Sequence, residues 1–176
     1  GGVTVDNSYA EMHTTIYAIA ESPRDPLVVW AGTDDGNLQV TRNGGTTWTN
    51  VVGNIVGLPK NAWVSSVESG HFAPGTIYAT FDRHSFGDLR PYAYRSLDFG
   101  KTWTALVLPG SPVRGYAHVV KEDLVNPRLL FLGTEFDAGN VTHPGGAALC
   151  IGLHHDVGEL LGIDQTAERG DVELER

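Results

Sequence analysis

Cysteine, positive charge and long apolar runs are all scarce in this sequence. A single cysteine, Cys150, rules out a disulfide within the chain and a zinc site built from several cysteines. Twelve lysines and arginines stand against 21 aspartates and glutamates, and the net charge of −9 argues against a nucleic-acid partner. No run of about 18 apolar residues occurs, which argues against membrane insertion. What is present is a globular composition, with 41% hydrophobic residues and 22 glycines, typical of a chain that turns often.

The two ends of the sequence differ from its middle. The chain opens on Gly1 without a charged-then-apolar leader, so we expect no signal peptide in it. Residues 150–176 are predicted to form an acidic, poorly ordered tail. We predict no cofactor and no metal site, because the adjacent histidines of this tail fit an exposed polar run better than a preformed ligand set. The residues considered for that metal site are His154, His155, Asp156 and Glu159.

A short motif occurs twice, and its surroundings recur a third time. Residues 41–48 read TRNGGTTW and residues 96–103 read SLDFGKTW. The strand-like run VVWAGTD at 28–34 is matched by IYATFD at 77–82 and by LLFLGTE at 129–135. Three copies of one unit of roughly 50 residues are therefore visible, which is the sequence signature of a repeat protein.

Each unit is predicted to contain four short strands. In the first unit they cover Thr15–Ala20, Leu27–Gly32, Asn37–Thr41 and Thr47–Val52, with turn-forming residues between them. Four-stranded units in series predict an all-β fold, a partial β-propeller of about three blades. A β-sandwich also has short strands, but it does not explain a motif that recurs at the same place in successive units.

The predicted blades divide the chain into five parts. They are a lead-in strand or the end of a preceding blade at 1–13, blades at 14–53 and 54–108, a partial blade at 109–149, and the tail at 150–176. The third blade is incomplete or degenerate, because Pro144 and Leu149 stand where the turn acceptor and the tryptophan are expected. One hypothesis is that the reading frame changes near Asp137. Because complete propellers have about 4–8 blades, we expect a fragment whose open strand edges favour self-association.

The repeated motif resembles the Asp-box, or BNR repeat, and predicts a structural hairpin. Its Asn or Asp accepts backbone N–H groups, its glycine takes a positive φ, and its tryptophan buries a large aromatic face in the adjoining sheet. We call residues 41–48 and 96–103 the tryptophan hairpins. Their structural residues are Thr41, Asn43, Gly45, Thr47 and Trp48 in the first, and Ser96, Asp98, Gly100, Thr102 and Trp103 in the second.

The resemblance extends over about residues 7–135. The segments EMHTTIYA at 11–18, GTDDGN at 32–37 and DFGKTW at 98–103 are similar to those of BNR-repeat proteins of the sortilin N-terminal (Vps10-like) type, often labelled glycosyl hydrolase-like. The resemblance implies a propeller with more blades and a secreted or periplasmic parent protein. It does not imply one activity, since unrelated functions share this scaffold.

Acidic residues follow the second strand of every unit: Asp34 and Asp35, then Asp82, then Glu135. Because successive strands alternate in direction, these acids are expected at the end of the sheets opposite the tryptophan hairpins. The candidate catalytic residues are Asp34, Asp82 and Glu135. The second unit has a long charged loop at 82–91, where binding is expected. The full ligand-face prediction is Asp34, Asp35, Asp82, Arg83, His84, Asp88, Arg90 and Glu135.

These features predict a non-catalytic recognition scaffold that binds a glycan or a polypeptide. The alternative is a glycoside hydrolase, sialidase-like or endoglucanase-like, whose active site is completed by blades outside this chain. Hydrolysis needs two carboxyl groups about 5–10 Å apart across a sugar. A sialidase also needs several converging arginines, and only Arg83 and Arg90 are expected on the acidic face. A third interpretation, an assembly factor for another protein complex, follows from the resemblance alone.

Overall fold

The chain folds into three four-stranded β-sheets, and the all-β prediction is confirmed. The computed structural model describes residues 14–136, 139–142 and 148–153. In this part of the chain the helical segments are two short 3-10 turns, Val52–Asn54 and His84–Phe86. None of the described residues forms a helix long and apolar enough to cross a membrane.

The first two sheets are antiparallel meanders whose strands pair in chain order. Their last strands are only two residues long, which leaves little unpaired backbone at the outer edges. The first sheet consists of β1 (Ile16–Ser22), β2 (Asp25–Thr33), β3 (Leu38–Thr41) and β4 (Thr49–Asn50). The second consists of β5 (Trp63–Ser69), β6 (Ile77–Arg83), β7 (Asp88–Ser96) and β8 (Thr104–Ala105).

The third sheet has a different strand order, β11-β12-β10-β9. Its first two strands are antiparallel like those of the other sheets, but β12 lies parallel to β10 and β11 lies outside β12. The strand order differs from that of the first two sheets at the point where the sequence lacks the residues that close a tryptophan hairpin. Residues 150–153 of the predicted tail belong to β12, whereas the rest of the tail and the predicted lead-in at 1–13 lie outside the described residues. The strands are β9 (Arg114–Glu122), β10 (Leu129–Phe136), β11 (Gly139–Thr142) and β12 (Ala148–Leu153).

The sheets pack face to face, and β6 shows how one strand serves two interfaces. Side chains alternate across a strand, so Ile77 and Phe81 join the core shared with the first sheet, while Tyr78 joins the core shared with the third. Complete burial of a side chain such as Phe81 stabilises the fold by about 1.5–3 kcal/mol. The first strands of the three sheets, β1, β5 and β9, are neighbours. The three sheets thus form part of a β-propeller.

Both tryptophan hairpins close by the same hydrogen bonds. In the second hairpin, Asp98 Oδ1 accepts the Thr102 backbone N–H at 2.9 Å, and Ser96 Oγ accepts the Gly100 N–H at 2.9 Å. In the first hairpin, Asn43 Oδ1 accepts the Thr47 N–H at 2.9 Å. The N–H and hydroxyl groups of Thr102 lower the pKa of Asp98 to about 2, since both favour the ionised carboxylate.

The second hairpin docks on the segment that follows the first sheet. The Asn54 side-chain amide donates to the Gly100 carbonyl at 2.8 Å, and Trp103 packs against the core between the two sheets. A Cβ atom at Gly100 would lie only 2.8 Å from Val51 Cγ2. The Arg42 guanidinium lies 4.0 Å from the ring centroid of Phe99 and adds a contact between the two hairpins.

The prediction that Trp48 buries its aromatic face is wrong. Trp48 is 42% exposed, although its hairpin is closed by the same backbone N–H groups as the second one. In the second hairpin, Trp103 Nε1 also donates to the Gly100 carbonyl at 3.0 Å. The second hairpin has the first sheet to dock on, whereas no sheet among the described residues lies against the first hairpin. Ile19 and Leu27 of the same sheet are also exposed. Burial of the tryptophan therefore depends on a neighbouring sheet rather than on the motif itself.

Candidate functional site

One end of the sheets, here called the link face, carries the loops after the second strands together with the links 51–62 and 106–113 between sheets. The tryptophan hairpins and the loops between first and second strands lie at the opposite end, here called the hairpin face. Alternation of strand direction produces this division. The predicted acidic residues therefore all lie toward the link face, but only Asp34 and Asp35 follow their strand. The prediction that the other two follow the second strand is wrong, because pairing extends β6 through Asp82 and β10 through Glu135.

The two acids at the end of β2 accept hydrogen bonds from groups of the first sheet and the residues just before it. Asp34 Oδ1 accepts the backbone N–H groups of Thr14 at 2.8 Å and Thr15 at 2.9 Å. Asp35 accepts hydrogen bonds from the Thr33 hydroxyl and from the Asn37 side-chain amide. Both carboxylates thus order the loop at the end of β2.

The acids of the second and third sheets meet around one tyrosine. His84 Nδ1 lies 2.6 Å from Asp82 Oδ2, and the His84 ring stacks on Tyr116 with a centroid distance of 4.7 Å. The His118 ring also contacts Tyr116, with a centroid distance of 4.6 Å, and its Nε2 is 2.9 Å from Glu135 Oε2. Burial, followed by the Glu135 carboxylate, raises the pKa of Tyr116, so the phenol is neutral at pH 7. These contacts join the turn between β6 and β7 to the third sheet.

The candidate catalytic acids are therefore all engaged by groups of this chain. Asp82 is buried and also accepts the His84 backbone N–H at 2.7 Å. Glu135 is the most accessible, with 41% of its side chain exposed, and it is paired with His118.

The long loop predicted at 82–91 is shorter in the structure, because β6 ends at Arg83 and β7 begins at Asp88, which pairs with Arg83. A second network lies at the start of β7. Asp88 accepts two hydrogen bonds from the Arg90 guanidinium, at 2.8 and 2.7 Å, and one from the Tyr92 hydroxyl at 2.8 Å. The Arg90 hydrogen bonds hold the pKa of Asp88 well below its usual range. Burial, with the neighbouring Asp88, raises the pKa of Tyr92 to about 12. Arg83 lies over the Phe86 ring at 4.4 Å and donates to the Lys60 carbonyl.

A concave pocket of about 480 Å³ opens beside this network on the link face. Pocket size falls in the range typical of ligand sites, which is about 300–1,000 Å³. Its walls are mainly apolar, and its rim carries the strongly exposed Val56 (91%) and Leu108 (45%). The lining residues that matter below are Val56, Arg90, Tyr92, Tyr94, Leu108 and Pro109.

The pocket residues were largely absent from the predicted ligand face. Arg90 is the one predicted residue in its wall, while the rest come from β7, from Ala105 of β8 and from the links between sheets. A signal was present in the sequence: the run LVLP at 106–109 places apolar residues directly after a short edge strand. Tyr116 and His118 were missed for another reason, since their contacts with His84 and Glu135 cross between strands.

Metal binding finds no support in the described part of the chain. No group of three or more histidine, cysteine, aspartate or glutamate side chains is placed there to hold a metal ion. The predicted histidine run at 154–155 lies outside the described residues.

No protein-family model matches the sequence, and no curated protein matches it. Solved structures do match. YCF48 from Cyanidioschyzon merolae is 26% identical, with 76% of this chain and 35% of that chain covered and a TM-score of 0.52. A YCF48 bound to D1 peptide is 18% identical, with 78% and 41% covered and a TM-score of 0.54. An ancestral GH74 enzyme is 17% identical, with 79% and 18% covered and a TM-score of 0.58.

These similarities establish the class of protein as a β-propeller. The chain covers less than half the length of each of these structures, so it corresponds to part of such a propeller. The similar proteins include both a peptide-bound protein and an enzyme, and the fold is common to the two.

Proposed function

We propose that this protein is a non-catalytic recognition scaffold that binds a polypeptide segment at the pocket on the link face. The pocket is the observation that supports the proposal most strongly. It joins an apolar interior to exposed aliphatic side chains at its rim, and exposed apolar surface of this kind is typical of binding sites.

The state of the carboxylates supports recognition over glycoside hydrolysis. Asp34 and Asp82 accept backbone N–H groups, and Glu135 is paired with a histidine. None of the three lines the pocket. The likeness to the ancestral GH74 enzyme, at 17% identity, concerns the fold alone. The solved YCF48 bound to D1 peptide provides a precedent for a peptide on a propeller of similar fold.

The full chain, probed with an array of capped peptides and with a glycan array, tests the proposal. Val56→Ser and Leu108→Ser remove apolar surface from the rim and should weaken peptide binding at least fivefold. Leu97→Ser and Leu124→Ser make the same change at exposed positions on the hairpin face and should leave binding unchanged.

Two results contradict the proposal. The first is an absence of peptide binding, or peptide binding that responds equally to all four substitutions. The second is turnover of a glycoside panel by the full chain that is lost in Glu135→Gln. That loss, with the fold retained in circular dichroism, supports the hydrolase alternative.

Three further proposals concern the whole protein. The common hydrogen-bond pattern of the two hairpins supports assignment to the BNR-repeat (Asp-box) proteins of the sortilin-like type. Secretion or export of the parent protein follows from that resemblance alone. The exposed Ile19, Leu27 and Trp48 support self-association through the first sheet, which sedimentation of wild type and Trp48→Ser at several concentrations tests.

A further inference from the structure

Two guanidinium groups share one carboxylate beside the pocket. Asp88 Oδ2 lies 2.7 Å from Arg90 Nη2 and 3.8 Å from Arg83 Nε. Two positive charges against one negative charge leave a local excess of one positive charge. Tyr92 and Tyr94 do not offset it, because burial keeps both phenols neutral at pH 7. This positive spot stands out in a chain whose net charge is −9.

Arg90 retains donor capacity toward the pocket. A guanidinium has five N–H groups, and the two hydrogen bonds of Arg90 to Asp88 use two of them, while 71% of its side chain is exposed. Arg83 does not line the pocket, and its buried Nε lies 3.8 Å from Asp88 Oδ2, so Arg83 contributes positive charge behind Asp88.

The pocket and the positive spot adjoin, because Arg90 belongs to both. An occupant that suits them together has a large apolar side chain for the pocket and an anionic group within a few residues of it. A free amino acid cannot cover the exposed Val56 and Leu108 as well, whereas an extended peptide segment can.

We infer that the pocket recognises an extended polypeptide segment in which one or two large apolar residues lie next to an aspartate or glutamate, whose carboxylate is received by Arg90. This inference rests on the proposed function and specifies its ligand. The preference is local. The negative net charge repels acidic peptides at long range, but repulsion from distant charges is screened beyond about 8 Å at 0.15 M salt.

Capped octapeptides test the inference on the full chain at 0.15 M NaCl. Each contains a Leu-Phe pair, with Glu, Gln or Lys placed one to three residues before or after the pair. The best Glu peptide should bind about tenfold more tightly than its Gln counterpart, the gain typical of a charge-assisted hydrogen bond. The Lys counterpart should bind more weakly than both.

Substitution of the arginine identifies the partner of the carboxylate. Arg90→Gln should remove the preference for Glu over Gln, and Arg90→Glu should reverse it toward Lys, a gain that mere loop damage does not produce. Arg128→Gln, an exposed arginine on the hairpin face, is the matched control and should keep the tenfold preference.

The outcomes separate the inference from the proposed function. If peptides bind and respond to Val56→Ser, but Glu is no better than Gln or Lys, the acidic specificity is refuted and the recognition function stands. If the preference survives Arg90→Gln, this arginine is not its source and the inference is refuted. If no peptide binds, both fail.

Discussion

The two tryptophan hairpins contain a matched pair of glycines, and their replacement by alanine measures how far each hairpin is docked. Gly45 has φ of 90° and Gly100 has φ of 78°. An L-residue in this left-handed region costs about 1–2 kcal/mol. The entropy lost by the unfolded chain is the same for both alanine substitutions, so it cancels in the comparison.

The surroundings of the two glycines differ. A Cβ at position 100 would lie 2.8 Å from Val51 Cγ2 and 2.9 Å from Val51 Cβ, whereas the nearest atom at position 45 is Trp48 Nε1 at 4.0 Å. Overpacking of this kind costs about 1–3 kcal/mol in addition. We therefore expect Gly45→Ala to lower the free energy of unfolding by about 1–2 kcal/mol and Gly100→Ala by about 2–5 kcal/mol.

Urea unfolding followed by tryptophan fluorescence and by circular dichroism measures both values. Agreement of the two probes is needed, because a repeat array can lose two-state behaviour. Equal costs for the two substitutions would refute the docking of the second hairpin on the segment after the first sheet.

Three other predictions follow from the packing and the pKa shifts. Asp98 has a pKa of about 2, so its ionised form stabilises the fold above the unfolded-state pKa of about 4, and this contribution is lost as pH falls toward 2. The difference in free energy of unfolding between wild type and Asp98→Asn should accordingly become smaller as the pH falls from about 4 to about 2. A difference that stays constant over this range would contradict a stabilising role of the ionised Asp98 carboxylate. Trp103→Ala should lower the free energy of unfolding in urea by about 2–4 kcal/mol, because Trp103 packs against the core between the first two sheets. Trp48→Ala should lower it by less than about 1 kcal/mol, because Trp48 is exposed. Buried Glu122 accepts hydrogen bonds from the Tyr78 hydroxyl at 2.7 Å and from the His71 backbone N–H at 2.6 Å. Glu122→Ala should therefore lower the free energy of unfolding, measured with urea, by about 2–4 kcal/mol. An unchanged free energy of unfolding would contradict the stabilising role of these hydrogen bonds.

Local patterns carried most of the fold prediction. The β-branched and aromatic residues of the run 27–32 and the turn residues around it were enough to place β2, because strand formation and turn chemistry act over a few residues. The hydrogen bonds of Asn43 and Asp98 are local for the same reason. Repetition of these local features gave the four-stranded units, and hence the partial propeller.

Contacts between sheets were not predictable in the same way. The exposure of Trp48 depends on whether a sheet lies against it, and the motif holds no information about that neighbour. The meeting of His84 with Tyr116 joins residues of different sheets. Alternation of strand direction was enough to predict at which end of the sheets the acids lie, but their hydrogen bonds to Thr14 and His84 required coordinates.

Methyl-resolved NMR of the full chain, titrated with the tightest peptide of the array, tests the recognition function most directly. The account predicts saturable chemical-shift changes in the methyl groups of Val56 and Leu108, with Leu97 and Leu124 on the hairpin face unchanged. Changes centred on the hairpin face, or none at any of these methyl groups while the peptide binds, would contradict it.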